Sequence, residues 1–339
     1  MSTMAEQSLK RLFDELEAPI GEGAVAEAFN SQLLPGISFA RIGKDPQGRP
    51  ALLLSLIVEP GFEGINYSFS NLGIKFRLRC LVTSASGEQT EESLCVIRCR
   101  ADASDIQGCF LQVMGAFVES LPRDCTERAA ADSARSLIDL FESLSLDKSG
   151  SAQGLWSELY LIWGARDPVT AMEAWHPSPE SKVDFVSGAE LVEAKSSTSG
   201  EREHSFSFEQ ANPPPACRLI IASMLVEESV TGTSIDDLRS EISEMMTGRA
   251  DLQLKLQRIV LKTLGRAWEQ SLQRRFSTVH GAAGLSFFDV EAIPRISGEL
   301  PVGVSDVRFR ASLDGSPAVA PESVGDGGLF SAIMRRRSR

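Results

Sequence analysis

The sequence predicts a mixed α/β protein, α+β in arrangement, built as two domains. Three observations predict it. The chain has 339 residues, beyond the size at which a single hydrophobic core keeps growing. Strand-like apolar alternation marks the first third and helical spacing follows it. The small polar stretch Asp147-Lys148-Ser149-Gly150-Ser151 then precedes a second half with its own strands and helices. We place the boundary there, giving domains over 1–147 and 148–339.

In the first domain a helix is expected over Ser8–Glu17. Ala51–Glu59 is a continuous apolar run closed by Pro60-Gly61 and reads as a buried strand. Tyr67–Phe69 and Gly73–Thr83 follow, the latter alternating through Ile74, Phe76, Leu78 and Cys80. Ser84–Glu88 reads as a hairpin turn into Ser93–Arg100, so an antiparallel sheet behind a helix is expected. Two helices come next, Asp105–Leu121 ending before Pro122, and Thr126–Leu146 with Thr126 as cap. The glycine-rich stretch Gly21–Ala26 superficially resembles a dinucleotide fingerprint. It follows a helix and Pro19 rather than a strand, so it carries no weight.

In the second domain Ala152–Trp163 is an amphipathic helix, and a proline-rich loop at His176-Pro177-Ser178-Pro179 leads to a strand at Lys182–Val186. Ser187-Gly188 turns the chain into the strand Ala189–Lys195. His204–Phe208 alternates, Asn212–Pro215 breaks the pattern, and Arg218–Val226 is a buried strand. Ser234, with Asp237 three residues on, opens a helix to Met246 in the manner of a capping box. A helix over Ala250–Leu264 and strands at Leu285–Val290 and Val304–Leu313 complete the domain.

Composition narrows the function. At 42% hydrophobic and 24% charged residues the chain is neither low-complexity nor disordered. The apolar runs Ala51–Val58 and Leu219–Val226 fall well short of the roughly 18 residues that span a bilayer. Met1–Arg11 carries no apolar export segment, so a cytoplasmic protein without membrane attachment is expected. Six cysteines lie among apolar neighbours and none forms a CxxC pair, which reads as reduced, mostly buried thiols rather than a zinc site.

The net charge of −12 means that any grip on nucleic acid requires locally concentrated cations or a partner. Two regions supply cations: Lys255, Arg258, Lys262 and Arg266 with Arg274 and Arg275, and the tail Arg335, Arg336, Arg337 and Arg339. Each reads equally as a solvated surface.

One constellation carries chemistry. Side chains alternate along a strand, so Glu193 and Lys195 share a face while Val192 and Ala194 share the other. A hairpin at Ser187-Gly188 would bring Asp184 beside Glu193. Two carboxylates and an ammonium then converge, which is what metal-assisted phosphodiester hydrolysis needs: hard oxygens for a divalent ion and a cation near the attacking water. A surface hairpin with a salt bridge produces the same spacing. The apolar residues around these charges favour an interior strand, where charge requires a reason.

These residues resemble the signature of the PD-(D/E)XK nuclease superfamily, with Pro179 displaced from the usual place before Asp184. More narrowly, the chain is similar to a bacterial family described as PD-(D/E)XK members. The likeness lies in Gly154–Leu159, Val183-Asp184-Phe185, Glu193–Ser197, His204–Gln210, Phe287–Val290 with Pro294-Arg295-Ile296, and Leu300–Val304. It covers about residues 150–313, and more loosely the first half.

The resemblance implies a restriction-endonuclease-like core with a mixed central sheet flanked by helices, Mg²⁺ or Mn²⁺ as cofactor, and DNA as substrate. It also implies a restriction or phage-defence setting, with an ATPase, helicase or methyltransferase as partner. Asp184 and Glu193 would hold the metal, Lys195 would assist the water, and Glu158 on the preceding helix would add a third carboxylate; an ordinary helix-surface residue is the other reading of Glu158. Gln210 would touch the site or the DNA backbone, or else simply start a helix, and Ser196 would hydrogen-bond nearby. His204 reads as structural, because neither His176 nor His280 stands at ligand spacing to it. Cutting both strands calls for two active sites, hence a homodimer or a partnered complex. The competing reading is a catalytically silent subunit of the same fold that binds DNA or scaffolds a complex.

Overall fold

The computed structural model describes residues 4–19, 26–62, 64, 66–143, 151–178 and 181–336. Residues 21–25 of the glycine-rich stretch, Pro179, residues 147–150 of the boundary segment, and Arg337 and Arg339 lie outside them. Two compact units form the chain, one from Ser2–Ser149 with Thr247–Ala267 and the other from Gly150–Met246 with Trp268–Arg339.

In the first unit α1 (Met4–Asp14) precedes β1 (Glu27–Leu34), β2 (Ile37–Lys44), β3 (Pro50–Leu54), β4 (Tyr67–Ser68), β5 (Leu72–Ser84) and β6 (Gln89–Cys99). The strands lie in the order β1-β2-β3-β6-β5-β4. The pairings are antiparallel except that β1 also runs parallel to β5, from Glu27 opposite Cys80 to Ser31 opposite Ser84. That seam joins β1-β2-β3-β6-β5 into a closed five-stranded barrel, which removes the free edges an open sheet would present. Phe29, Leu53, Cys80, Val82, Leu94 and Val96 form its apolar core.

Every residue of β3 is buried, which explains why it reads as an unbroken apolar run. A bulge interrupts β5 between Lys75 and Leu78. Within it Arg77, at φ 51°, donates to both oxygens of the buried Glu127 at 2.7 Å. The helices α2 (Ser104–Ser120) and α3 (Glu127–Ser143) pack with the later Ala250–Leu264 helix, which belongs to this unit. The basic stretch is therefore divided: Lys255, Arg258, Lys262 and Arg266 lie in the first unit, Arg274 and Arg275 in the second.

The second unit opens with α4 (Ala152–Gly164), capped by Ser151, whose hydroxyl accepts from the Gly154 N–H at 3.1 Å. Then come α5 (Pro168–Ala174), β7 (Phe185–Ser187), β8 (Glu190–Ser197), β9 (Glu203–Ser207), α6 (Phe208–Ala211), β10 (Arg218–Leu225), β11 (Glu228–Ser234) and α7 (Ile235–Met245). With the Ala250–Leu264 helix numbered α8, the unit resumes in α9 (Trp268–Leu272), β12 (Arg275–Phe276), α10 (Thr278–Gly284), β13 (Leu285–Asp289), β14 (Arg308–Ser312) and α11 (Gly328–Met334).

Its main sheet has the order β13-β10-β8-β7. The central pair β10 and β8 is parallel and both outer pairs are antiparallel, so the sheet is mixed. Helices α4 and α11 pack on β8, and α10 packs on β10. A separate antiparallel ribbon pairs β9 with β14. Leu191, Phe206, Leu219, Ile221 and Phe288 anchor the apolar core between them. The mixed α/β class expected from the sequence is the observed one.

Arg335 and Arg336 are built into this unit. Arg336 donates to the carbonyls of Tyr160 and Leu161, each at 3.1 Å, where the last turns of α4 leave acceptors. Arg335 donates to the Val324 carbonyl at 2.8 Å and pairs with Asp326. The six cysteines are free thiols, five of them buried, and burial raises the thiols of Cys80 to about 12 and Cys99 to about 11. No helix among the described residues is long and apolar enough to cross a membrane.

Candidate active site

The hairpin of β7 and β8 sets the first two carboxylates. Its two turn residues are Gly188 and Ala189. Gly188 stands at φ 58°, a conformation that costs glycine nothing and that a tight hairpin of this kind demands at its first turn position. Phe185 pairs with Val192 and Ser187 with Glu190. One residue beyond that register, Asp184 falls across from Glu193. Asp184 is fixed there by the Ala194 N–H, which donates to its Oδ2 at 2.8 Å.

Glu193 is 2% exposed. Its Oε1 accepts from the Lys195 ammonium at 2.7 Å and from the Gln210 amide at 2.6 Å. Its Oε2 is buried and makes no well-formed hydrogen bond among the described residues. Lys195 lies 5.3 Å from the centre of the Phe206 ring and 3.4 Å from Gln210 Oε1, so one glutamine side chain touches both charged residues. Gln210 also accepts from the Ser207 N–H at 3.1 Å while Ser207 accepts from the Gln210 N–H. This capping box locks the start of α6 and aims the amide at the site. Ser196 stands slightly apart, accepting from Gln153 of α4 at 3.1 Å.

Glu158 arrives from α4. Its Oε2 accepts from the Trp175 indole N–H at 2.7 Å and lies 2.9 Å from His176 Nε2. His176 is brought in by backbone pairing: its N–H donates to the Asp184 carbonyl at 2.7 Å, next to a bridge between Trp175 and Phe185. It adopts φ 40°, uncommon outside glycine and its close substitutes. One ligand atom from each of Glu158, His176 and Asp184 falls within 4.8 Å of the others. His176 is not among the site residues expected from the sequence. The signal for it is tertiary, since Glu158 and His176 are 18 residues apart and meet only because the loop returns to β7.

The electrostatics follow from this crowding. Burial, then the charges of Glu193 and Glu158, push the Asp184 carboxyl well above its usual range, against the opposing Ala194 N–H and Lys195. Burial also raises Glu193, with Lys195 opposing. Three carboxylates thus share a site that one ammonium does not neutralise. His204, by contrast, is buried 2.8 Å from the Ser223 hydroxyl, and burial pushes it down to about 4. It is a neutral packing residue.

A divalent cation fits this set. It offers carboxylate oxygens suited to hard ions, a buried oxygen on Glu193 without a partner, and surplus negative charge that a bound cation would offset. The geometry brings Asp184 and Glu158 within ligand reach of each other and adds His176, sets Glu193 beside them in the grip of Lys195 and Gln210 but outside that three-residue cluster, and leaves Ser196 beside the site.

The chain matches the family described as "Putative PD-(D/E)XK family member (DUF4420)" over residues 9–314, and it belongs to that family. No curated protein and no solved structure matches it.

Proposed function

We propose that this PD-(D/E)XK family member is a metal-dependent DNA endonuclease that hydrolyses phosphodiester bonds at the Asp184, Glu193 and Lys195 site. The observation that carries the reading is the state of Glu193. A carboxylate at 2% exposure, with one oxygen held by Lys195 and Gln210 and the other without a donor, is costly unless something binds there.

Asp184, Glu193 and Glu158 would hold Mg²⁺ or Mn²⁺, and His176, whose ring nitrogen falls within 4.8 Å of ligand oxygens of Glu158 and Asp184, would join them. When bound, such an ion polarises phosphate oxygens and lowers the pKa of a coordinated water. Lys195, anchored to Glu193, is placed to orient the attacking water or offset charge developing on the phosphate. Gln210 keeps Lys195 and Glu193 in one fixed arrangement, so little reorganisation is needed during reaction. A restriction or phage-defence role, with an ATPase, helicase or methyltransferase as partner and a homodimer for double-strand cutting, extends the same reading.

The net charge of −12 favours a second reading, a silent subunit that scaffolds a DNA-processing complex. Cleavage separates the two. Supercoiled plasmid is incubated with the purified chain and Mg²⁺ or Mn²⁺, alongside Lys195→Ala and Asp184→Ala. Metal-dependent nicking that both substitutions abolish supports the nuclease. Nicking that survives both removes the site assignment, and a wild type that stays inert with candidate partners present favours the scaffold.

A further inference from the structure

The first unit holds a cleft of about 320 Å³ where the beginning of β5 meets the end of β6, with β4 alongside. Arg49, Lys75, Arg98 and Arg100 line it together with Tyr67, and Leu78 and Val96 continue it toward the barrel core. No carboxylate is among the described residues that line it. In a chain of net charge −12, four cations converging on one concavity run against the overall balance.

The cations differ in what holds them. Lys75 pairs with Glu27 at 3.0 Å, Arg98 pairs with the same carboxylate, and Arg49 pairs with Asp45 at 3.1 Å. These partners are not themselves lining residues, and they fix the side chains that are. Arg100 donates to the Ser68 hydroxyl and has no carboxylate partner among the described residues. Gly73 makes room for it: a Cβ there would come within 3.3 Å of Arg100 Cδ. Tyr67, the aromatic residue of the lining, lies nearly parallel to Phe69, with ring centres 6.2 Å apart and planes at 16°.

An aromatic face next to guanidinium and ammonium groups is the combination that recognises a nucleotide, the base by stacking and the phosphate by charge. The volume matches the lower range of small-ligand pockets. We propose that this cleft binds one nucleotide unit, with its phosphate at Arg100 and Lys75 and its base against Tyr67. The proposal does not rest on the carboxylate site of the second unit. The unit comes either from a single strand or from a free nucleotide.

The test uses the full chain in EDTA, so that the carboxylates bind no metal. Fluorescence anisotropy follows a 3′-labelled, 5′-phosphorylated thymidine octanucleotide, with circular dichroism and Tm as checks of folding. Arg100→Glu is expected to weaken binding by about tenfold or more and Tyr67→Leu by about fivefold or more. Arg100→Lys should retain most of the affinity. Competition identifies the source. Displacement by thymidine monophosphate at concentrations comparable to the oligonucleotide indicates a free nucleotide, whereas displacement by oligonucleotides alone indicates a strand. Wild type that fails to bind, folded Arg100→Glu and Tyr67→Leu proteins that bind normally, or inorganic phosphate competing as well as the monophosphate would each overturn the proposal.

Discussion

The Lys195 ammonium sits 2.7 Å from Glu193 Oε1, while Glu193 Oε2, on the same buried carboxylate, makes no well-formed hydrogen bond to the described residues. A salt bridge built for stability would satisfy both oxygens, because an unpaired buried oxygen costs about 1–3 kcal/mol. The pair is half-satisfied, and the other carboxylates crowd in beside it.

That crowding makes the metal-free protein sensitive to pH. Asp184 has a folded pKa raised well above its ordinary 3.8, so it supports stability at low pH and withdraws that support as pH rises through the raised value. In EDTA, Asp184→Asn should therefore melt a few degrees above wild type at pH 7–8, with the difference shrinking toward pH 4. Melting curves across that range check this. An Asn variant that melts lower at neutral pH would contradict a destabilising repulsion among the carboxylates, since asparagine keeps an oxygen for the Ala194 N–H.

His176 meets Glu158 at 2.9 Å and lies 3.9 Å from Asp184 Oδ1. As a ligand or as the group that orients one, its loss should weaken Mn²⁺ binding about tenfold or more. His176→Asn is the suitable variant, because asparagine tolerates the observed φ of 40°. Calorimetric titration with Mn²⁺ reads the effect, and an unchanged affinity would remove His176 from the metal site.

Gln210 serves both the α6 cap and the site, and the two roles separate by mutation. Ser207→Ala removes the hydroxyl that accepts from the Gln210 N–H and should cost about 1 kcal/mol of stability; the Gln210 side chain keeps its contacts with the Ser207 N–H, Lys195 and Glu193, so cleavage should change little. Gln210→Ala should lower cleavage by about tenfold or more, because Lys195 and Glu193 lose their common partner. Equal cleavage by the two variants would reduce Gln210 to a capping residue.

His204 gives the opposite pH signature. Its folded pKa, near 4, lies below the ordinary 6.5, so its contribution is full above 6.5 and is lost as pH falls toward 4. Across that window wild type should lose up to roughly 3 kcal/mol that His204→Asn does not. Urea unfolding at pH 7 and pH 4.5 measures the difference, and parallel pH slopes would contradict it.

How much of this was legible in the sequence depended on whether the signal was local. Glu193 and Lys195 share a face because strands alternate, and the alternation was visible. Asp184 was legible through the turn at Gly188, although β7 begins at Phe185 rather than at the expected Lys182. Gln210 was visible as a polar residue after a strand, but its contact with Glu193 depends on the tertiary placement of α6. His176 had no local signal, since its partner lies on another element. Strands β1 and β2 were also missed. Asn30, Ser31 and Gln32 break the apolar alternation of β1, yet Ser31 is buried. The barrel's parallel seam was equally invisible, because β1 and β5 lie far apart in sequence.

The most direct test is calorimetric titration of the chain with Mn²⁺, comparing wild type with Glu193→Gln. The account predicts that wild type binds Mn²⁺ with release of protons and that Glu193→Gln, folded to the same far-ultraviolet spectrum, binds about a hundredfold more weakly or not at all. Equal Mn²⁺ affinity in the two proteins would contradict it, as would a wild type that binds no Mn²⁺.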